Sequence, residues 1–279
     1  MTKLLYDKVS FDLSESLTKS YSTSFSIGIR FLDRKLRAPI YAIYGFVRLA
    51  DEIVDTFHDY DKAKLFSRFK ESLDLALKDR ISVNPILNSF QEVVHRYNIE
   101  RELIDAFLVS MEMDLENKQY DRKEFNKYVL GSAEVVGLMC LHVFVDGDQV
   151  RYEELRDMGM KLGAAYQKIN FLRDIKADYE GLGRTYFPCI DLSNFTEDDK
   201  DLIEREIESD FREGLKGIRL LPGSSRLGVY LSYVYFYKLF RKIRRLPAGE
   251  VRKKRIRISD ARKYLLLAST YFKYRLNLI

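Results

Sequence analysis

The sequence predicts a single all-α domain over residues 1–279. A chain of 279 residues with 46% hydrophobic content can bury a large core, and it contains no linker, low-complexity tract or repeat. There are only five prolines and 14 glycines, so long helices are expected. No alternation of strand-like and helix-like segments appears, and the Gly-Leu-Gly at 181–183 follows no strand, so a dinucleotide-binding sheet is not expected.

Apolar periodicity divides the chain into nine predicted helices. Pro85 precedes the third helix, Pro188 separates the sixth from the seventh, Pro222 separates the seventh from the eighth, and Pro247 follows the eighth. The predicted helices span residues 33–57, 62–79, 86–96, 100–117, 122–145, 151–179, 197–219, 226–246 and 259–276.

The helix predicted at 33–57 carries a polar stripe on an otherwise apolar segment. Its members step by three or four residues and therefore share one helix face. They are Tyr41, Tyr44, Arg48, Asp51 and Asp55.

The helix predicted at 151–179 carries a second stripe of the same kind, made of Gly163, Gln167, Asn170, Asp174 and Asp178. Two carboxylates on one face repel each other, so a positive partner between the two stripes is expected. Hard divalent cations, Mg²⁺ first, holding a diphosphate would fill that role. Because the chain has 42 acidic residues, a solvated acidic face is the alternative interpretation of either pair alone.

At these residues the chain resembles the squalene and phytoene synthase family. The resemblance runs from Ser-Tyr-Ser-Thr-Ser-Phe-Ser at 20–26 to the basic stretch beginning at Tyr237, and its most specific blocks are 42–55, 167–178 and 183–188. One departure is that Lys176 and Ala177 stand where relatives often have Gly-Glu, while the outer aspartates remain.

The resemblance implies an isoprenoid synthase bundle around a central cavity, with prenyltransferase activity. It implies that two geranylgeranyl diphosphates condense head to head into phytoene through a cyclopropyl diphosphate, in carotenoid biosynthesis. Squalene or dehydrosqualene synthesis from farnesyl diphosphate is the near alternative, and a non-catalytic family member acting as an assembly factor is the more distant one. Mg²⁺ is the expected cofactor, with Mn²⁺ as an alternative, and NADPH is not expected.

The resemblance also assigns roles to individual residues. The implied metal ligands are Asp51, Asp55, Asn170, Asp174 and Asp178. The four aspartates among them are also implied to be catalytic residues. The implied substrate-binding residues are Ser22, Ser24, Arg48, Gln167, Asn170, Arg173 and Arg184. The implied aromatic residues near the cation are Tyr44, Tyr128 and Tyr237. Ion pairing for the arginines, helix capping for the serines and core packing for the tyrosines remain the competing explanations.

A face of small residues completes the expected cavity. Gly131, Ala133 and Gly137, with Gly163 on the second stripe, leave room for polyprenyl tails or allow close helix packing.

The formal charge of +5 is concentrated towards the C-terminus, between Lys238 and Lys263. A solvated surface is the first interpretation, and peripheral contact with an anionic membrane is the second. Nucleic-acid binding is not expected, because no recognition motif accompanies the charge. The N-terminus lacks the apolar run of a signal peptide, so we expect a cytoplasmic protein, with the inner membrane face as the peripheral option.

Other chemistries find little support. Glu92 and His95 form one Glu-x-x-His without the second copy that a di-iron bundle needs. Cys140 and Cys189 have no metal-ligand partner nearby and are expected to be reduced thiols.

Overall fold

The computed structural model describes residues 2–116, 120–181, 186–188, 195–253 and 255–275, and every regular element in these ranges is helical. The all-α prediction is therefore confirmed. The helices are α1 (Lys3–Tyr21), α2 (Thr23–Arg30), α3 (Arg34–Asp55), α4 (Lys62–Asp79), α5 (Pro85–Tyr97), α6 (Arg101–Met113), α7 (Arg122–Val129), α8 (Val135–Phe144), α9 (Gln149–Gly181), α10 (Glu197–Leu220), α11 (Gly223–Arg244), α12 (Ala248–Val251) and α13 (Asp260–Arg275), with a π-helical turn (Leu130–Glu134) between α7 and α8.

Helix boundaries follow from capping residues in the sequence. The Asp33 side chain accepts a hydrogen bond from the Lys35 N–H at the start of α3. The Asn84 side chain accepts hydrogen bonds from the first N–H groups of α5, which begins with Pro85, a residue that has no N–H of its own. Asp121 and Thr196 begin α7 and α10 with complete capping boxes. These side chains satisfy N–H groups that have no partner inside the helix, so each boundary is specified locally.

Each of the nine predicted helices overlaps an observed one, but α1, α2 and α12 were not predicted. Helix α1 was missed because its buried face is polar. Ser10, Ser14 and Thr18 are fully buried, and Ser14 packs against Gly45 of α3 while its Oγ lies 2.8 Å from the Ser89 Oγ. The exposed face instead carries apolar residues, including Leu5, Val9 and Leu13. The usual apolar-inward pattern is therefore reversed, and periodicity gives no signal.

The predicted continuous helix at 122–145 is interrupted by the π-helical turn. Gly131 lies in that turn so close to α6 that a Cβ there would overlap the Ala106 carbonyl oxygen. The turn accommodates this contact and directs Ser132 and Ala133 towards the centre of the bundle. Residues Arg122–Phe144 are long and apolar enough by composition to cross a membrane, but half of the apolar window is buried inside the fold.

A buried ion pair fixes α9 against α10. Lys168 Nζ donates to Asp210 Oδ2 at 2.6 Å and to Glu206 Oε1 at 2.6 Å, and the Lys168 and Asp210 side chains are 8% and 6% exposed. Buried charges are tolerated only when paired, so arrangements of α9 and α10 that separate Lys168 from Asp210 are disfavoured. It lies on the helix that also carries Asn170 and Asp174.

Candidate active site

A large cavity of about 580 Å³ lies inside the bundle, and side chains from both polar stripes line it. Its polar end is formed by α3, α9 and the C-terminal segment, where Arg48, Asp51, Asn170, Arg173 and Arg255 meet. The remainder is mostly apolar, with walls from α2, α8, α10 and α11. Its size and its mixture of an apolar body with converging polar groups are typical of a small-molecule site.

On the α3 side, Arg48 is held between two carboxylates. Its guanidinium pairs with Asp51 and with the buried Glu52, and it stacks 4.2 Å from the centre of the Tyr21 ring. The Arg48 Nε is buried without a partner among the described residues. Asp55 lies one turn beyond Asp51 at the end of α3 and is partly buried. Glu52 was not singled out in the sequence.

On the α9 side, Asp174 is paired with two arginines. Arg173 donates from Nε at 3.1 Å to each carboxylate oxygen, and Arg255 Nε lies 2.7 Å from Asp174 Oδ1. Gln167 and Asn170 line the same cavity, and the Asn170 Oδ1 is buried with no hydrogen-bond partner among the described residues. Gly163, Gln167 and Asn170 of the second stripe therefore line the cavity, whereas Asp174 does not line it itself but contacts the lining residues Arg173 and Arg255.

Arg255 and Lys263 were not predicted as site residues. Both line the cavity, although they come from the basic segment that the sequence indicated only as surface. In the sequence, only the concentration of positive charge marked this segment. That feature does not indicate which of its side chains point into the cavity.

Ser22 combines two roles that the sequence left as alternatives. Its side chain caps α2 by accepting from the Phe25 N–H at 3.3 Å, and Ser22 also lines the cavity. The side chains of Ser24 and Asp178, and all of Arg184, lie outside the described residues.

Two of the three predicted tyrosines line the cavity. Burial raises the pKa of the Tyr44 phenol, although a hydrogen bond with Ser22 acts in the opposite direction. Burial also raises the pKa of Tyr128 well above its ordinary value, and its hydroxyl donates to Asp114 Oδ2 at 2.6 Å. Both phenols therefore stay neutral at physiological pH.

The third prediction, Tyr237 beside the cation, is not supported by its position. Tyr237 packs against Tyr233, with ring centres 5.6 Å apart, and against Phe211 at 5.4 Å, and it does not line the cavity. Its neighbour Phe236 does, stacked on Tyr166 with ring centres 4.1 Å apart. Successive residues of an α-helix are rotated by about 100° about its axis, so Phe236 can line the cavity while Tyr237 points away from it.

Tyr166 is a further site residue that the sequence did not single out. Its hydroxyl is buried and has no hydrogen-bond partner among the described residues, and burial raises its pKa well above the ordinary value. A neutral phenol ring in an aromatic stack can face a cation without attacking it.

The small-residue face is only partly as expected. Ala133, Gly137 and Gly163 line the cavity, whereas Gly131 packs against α6 instead. Half of the 14 glycines of the chain line the cavity, namely Gly28, Gly137, Gly159, Gly163, Gly214, Gly217 and Gly228. The apolar end is thus wide because its walls carry little side-chain volume.

The donor chemistry of the polar end fits a hard divalent cation. Asp51, Asp55, Asn170 and Asp174 offer only oxygen ligands, and the unpartnered Asn170 Oδ1 is available to one. The described residues contain no group of three or more His, Cys, Asp or Glu side chains placed to hold a metal, but the Asp178 side chain is not among them.

Two histidines make contacts within the fold and do not line the cavity, whereas Cys140 is one of the lining residues. His95 lies 2.9 Å from the Leu77 carbonyl oxygen, and His142 is buried, 2.5 Å from Glu100 and stacked on Tyr152. Cys140 is a free thiol whose pKa is raised to about 12 by burial, and Cys189 lies outside the described residues.

Comparison with known proteins identifies the family. A profile of the squalene/phytoene synthase family matches residues 18–262. A phytoene synthase from Arthrospira platensis is 26% identical over 216 residues, covering 73% of this chain and 69% of that protein. A 4,4'-diapophytoene synthase from Staphylococcus haemolyticus is 25% identical over 202 residues, covering 72% and 70%.

Solved structures show the same fold. A dehydrosqualene synthase in complex with a ligand superposes with a TM-score of 0.81 at 21% identity, covering 96% of this chain and 98% of that one. Squalene synthase HpnC from Alicyclobacillus acidocaldarius gives 0.74 at 25% identity, covering 86% and 95%.

Proposed function

Because this chain belongs to the squalene/phytoene synthase family and is a prenyltransferase that condenses isoprenyl diphosphates head to head, we propose that it joins two geranylgeranyl diphosphates into phytoene. The observation that carries this proposal is the cavity itself, whose polar end brings both stripes together while glycine-rich walls leave an apolar interior. A molecule with a diphosphate head and a long hydrocarbon tail matches that division. Phytoene places the enzyme in carotenoid biosynthesis.

The polar end would bind the diphosphates. Guanidinium groups pair with phosphate oxygens through parallel hydrogen bonds, and Arg48, Arg173 and Arg255 all reach the cavity. Asp51, Asp55, Asn170 and Asp174 would hold Mg²⁺, with Asp178 predicted to join them. When bound, Mg²⁺ neutralises the diphosphate and makes it a better leaving group.

The apolar interior would control the cations. In the first step the C–O bond to one diphosphate breaks, and the allylic cation alkylates a double bond of the second molecule. Loss of a proton closes the cyclopropane ring. The second diphosphate then leaves, and rearrangement with loss of another proton gives phytoene. The aromatic rings of Tyr44, Tyr166 and Phe236 line this space, and the apolar walls would keep water from the cations.

The last step separates the candidate products. Loss of a proton needs no reductant, whereas squalene requires a hydride, so we expect phytoene formation without NADPH. Dehydrosqualene or squalene synthesis from farnesyl diphosphate is the alternative, and the names of the relatives include both phytoene and 4,4'-diapophytoene synthases.

Product analysis tests the proposal. The purified protein is incubated with geranylgeranyl or farnesyl diphosphate and Mg²⁺, with and without NADPH, and the hydrocarbons are identified. We expect phytoene and two equivalents of diphosphate from geranylgeranyl diphosphate alone, with activity lost in chelator and restored by Mg²⁺.

A variant pair controls for nonspecific loss. Asp174→Asn should abolish turnover, whereas Asp157→Asn, at an exposed position on the same helix, should not. A wild-type product built from one allylic and one isopentenyl diphosphate would refute the head-to-head assignment. Exclusive use of farnesyl diphosphate would refute only the choice of substrate.

A further inference from the structure

Positive charge is concentrated in one part of the chain. Residues 238–275 contain 14 Lys and Arg residues and only two acidic ones, so this segment carries +12. The remaining residues carry 33 basic and 40 acidic side chains, a net charge of −7. The modest overall charge of +5 therefore hides a strongly polarised molecule.

Helix α13 combines this charge with an exposed apolar face. Leu265 and Phe272 lie two turns apart on one face and are 69% and 65% exposed, with the exposed Ala268 and Ser269 between them. We call these four residues the α13 outer face. Large apolar side chains so exposed on a basic helix are typical of helices that lie in a membrane interface.

The opposite face of α13 is anchored to the fold. Leu266, Leu267 and Thr270 pack into a groove formed with Ile27 and Leu231 of α2 and α11. The α13 outer face is therefore held in place and directed away from the core.

The active-site cavity lies next to the face of α13 that packs against the fold. Gly28, Ser232, Tyr235 and Lys263 line both the groove beneath α13 and the cavity. Arg255, at the polar end of the cavity, lies in the segment that leads into α13. One helix thus separates the cavity from the α13 outer face.

We propose that α13 and the basic segment at 252–259 dock the protein on an anionic lipid membrane at its cytoplasmic face. The α13 outer face would enter the headgroup region, and the exposed side chains of Arg252, Lys253 and Arg257 would contact anionic lipid headgroups, while Arg255 stays at the cavity. A hydrocarbon product could then pass from the cavity beside α13 into lipid, a step that rests on the proposed function, whereas the docking does not.

Helix α1 provides a contrast within the same chain. It also exposes apolar residues, but its three lysines are balanced by three acidic residues. An anionic surface offers no charge attraction to such a helix, so α1 serves as the matched control.

Vesicle co-sedimentation tests the docking. The full chain is mixed with vesicles of phosphatidylcholine alone or of equal parts phosphatidylcholine and phosphatidylglycerol, and binding to the anionic vesicles, weakened by salt, is expected. Replacing Arg252 and Lys253 by Gln should weaken binding roughly 25-fold, since each basic residue near the surface contributes about fivefold. Leu265→Ser with Phe272→Ser should weaken it by at least about tenfold, and Val9→Ser with Leu13→Ser should leave it unchanged.

Fluorescence of a single introduced tryptophan gives a second measurement of docking, one that does not rely on weakened vesicle binding. The chain contains no tryptophan, so Phe272→Trp introduces one fluorophore into the α13 outer face. Its emission should shift to the blue with anionic vesicles and be quenched by brominated lipids, whereas Val9→Trp should show neither effect.

Specific results would overturn the proposal. They are equal binding to neutral and anionic vesicles, wild-type binding by a folded Leu265/Phe272 double-serine variant, or an emission spectrum of the Phe272→Trp variant that vesicles leave unchanged. Loss of self-association in the double-serine variant without any vesicle binding would identify the face as a protein interface instead. Turnover in detergent, measured in parallel, should be unchanged in the double-serine variant, which separates failure of docking from failure of the enzyme.

Discussion

Adding a side chain at Gly159 should shorten the substrate that the enzyme accepts. Gly159 lies on α9 and lines the apolar part of the cavity. A Cβ built there would meet Leu141 Cδ2 at 3.4 Å and Leu138 Cδ2 at 3.8 Å, which are ordinary contacts. Leucine at this position would extend into space that a hydrocarbon tail would otherwise occupy.

The neighbouring glycines do not offer the same opportunity. A Cβ at Gly163 would stand 2.7 Å from the Ala133 carbonyl oxygen, and one at Gly217 would stand 2.7 Å from Met158 Cβ. The sequence pointed to Gly137, but a Cβ there would lie 3.3 Å from the Gly159 carbonyl oxygen, which is already tight. Gly159 is therefore the better place to fill the cavity without moving backbone.

The size of the effect follows from the apolar contact that is lost. Each methylene excluded from a hydrophobic pocket is worth about 1–3 kcal/mol in discrimination. We expect Gly159→Leu to shift the ratio of kcat/KM for geranylgeranyl over farnesyl diphosphate by at least roughly tenfold towards farnesyl. Gly159→Ala should shift it in the same direction by less, and should add up to about 1 kcal/mol of helix stability.

The assay measures kcat/KM for each substrate separately, together with thermal unfolding. Gly249→Ala is the matched control, because a Cβ there meets nothing within 4 Å and the residue does not line the cavity. An unchanged ratio in a folded Gly159→Leu protein would show that the tails do not occupy this part of the cavity. The ratio is informative whichever substrate the wild type prefers.

Three further predictions concern charged groups. Asp51→Asn and Asp174→Asn should each lower kcat by orders of magnitude while changing the free energy of unfolding by at most about 1 kcal/mol, because their arginine pairs are partly exposed. Lys168→Met should cost up to about 3–5 kcal/mol of unfolding free energy, because Asp210 would stay buried and charged with only the half-exposed Lys161, 3.6 Å away, as a partner, and Asp210→Leu in the same protein should restore most of it, as a denaturant-based double-mutant cycle would show. Burial lowers the pKa of His142, so the folded protein binds this proton more weakly than the unfolded chain does; stability should fall as pH drops below about 6.5, and a His142→Phe variant should lose that part of the pH dependence.

The two polar stripes could be predicted because they are local. Residues three or four apart share a helix face whatever the rest of the chain does, and the stripe residues Arg48, Asp51, Gln167 and Asn170 all line one cavity. Lys168 shows the limit of this approach: its partners Asp210 and Glu206 lie on another helix, and no spacing rule connects them.

The features that the sequence did not predict correctly also have specific causes. Helix α1 was missed because fully hydrogen-bonded hydroxyl groups replace apolar residues on its buried face. Tyr237 was placed near the cation by resemblance, but the cavity is lined by Phe236, one position earlier on α11. A pattern can indicate which helix contributes an aromatic ring, whereas the rotation of that helix is set by packing with its neighbours.

Arg255 connects the polar end of the cavity to the helix that we propose lies in lipid. Its guanidinium holds Asp174, and five residues later the same segment enters α13. No helix end or glycine-rich loop lies between Ile256 and Ser259, and two side chains of this stretch, Ile256 and Ile258, are buried in the core. A displacement of α13 at a membrane surface would therefore be transmitted to Arg255 through a short, anchored segment rather than absorbed by a flexible one. The proposed binding of diphosphate beside Asp174 and the proposed docking of α13 are for this reason expected to influence each other, and by linkage the influence has the same size in both directions.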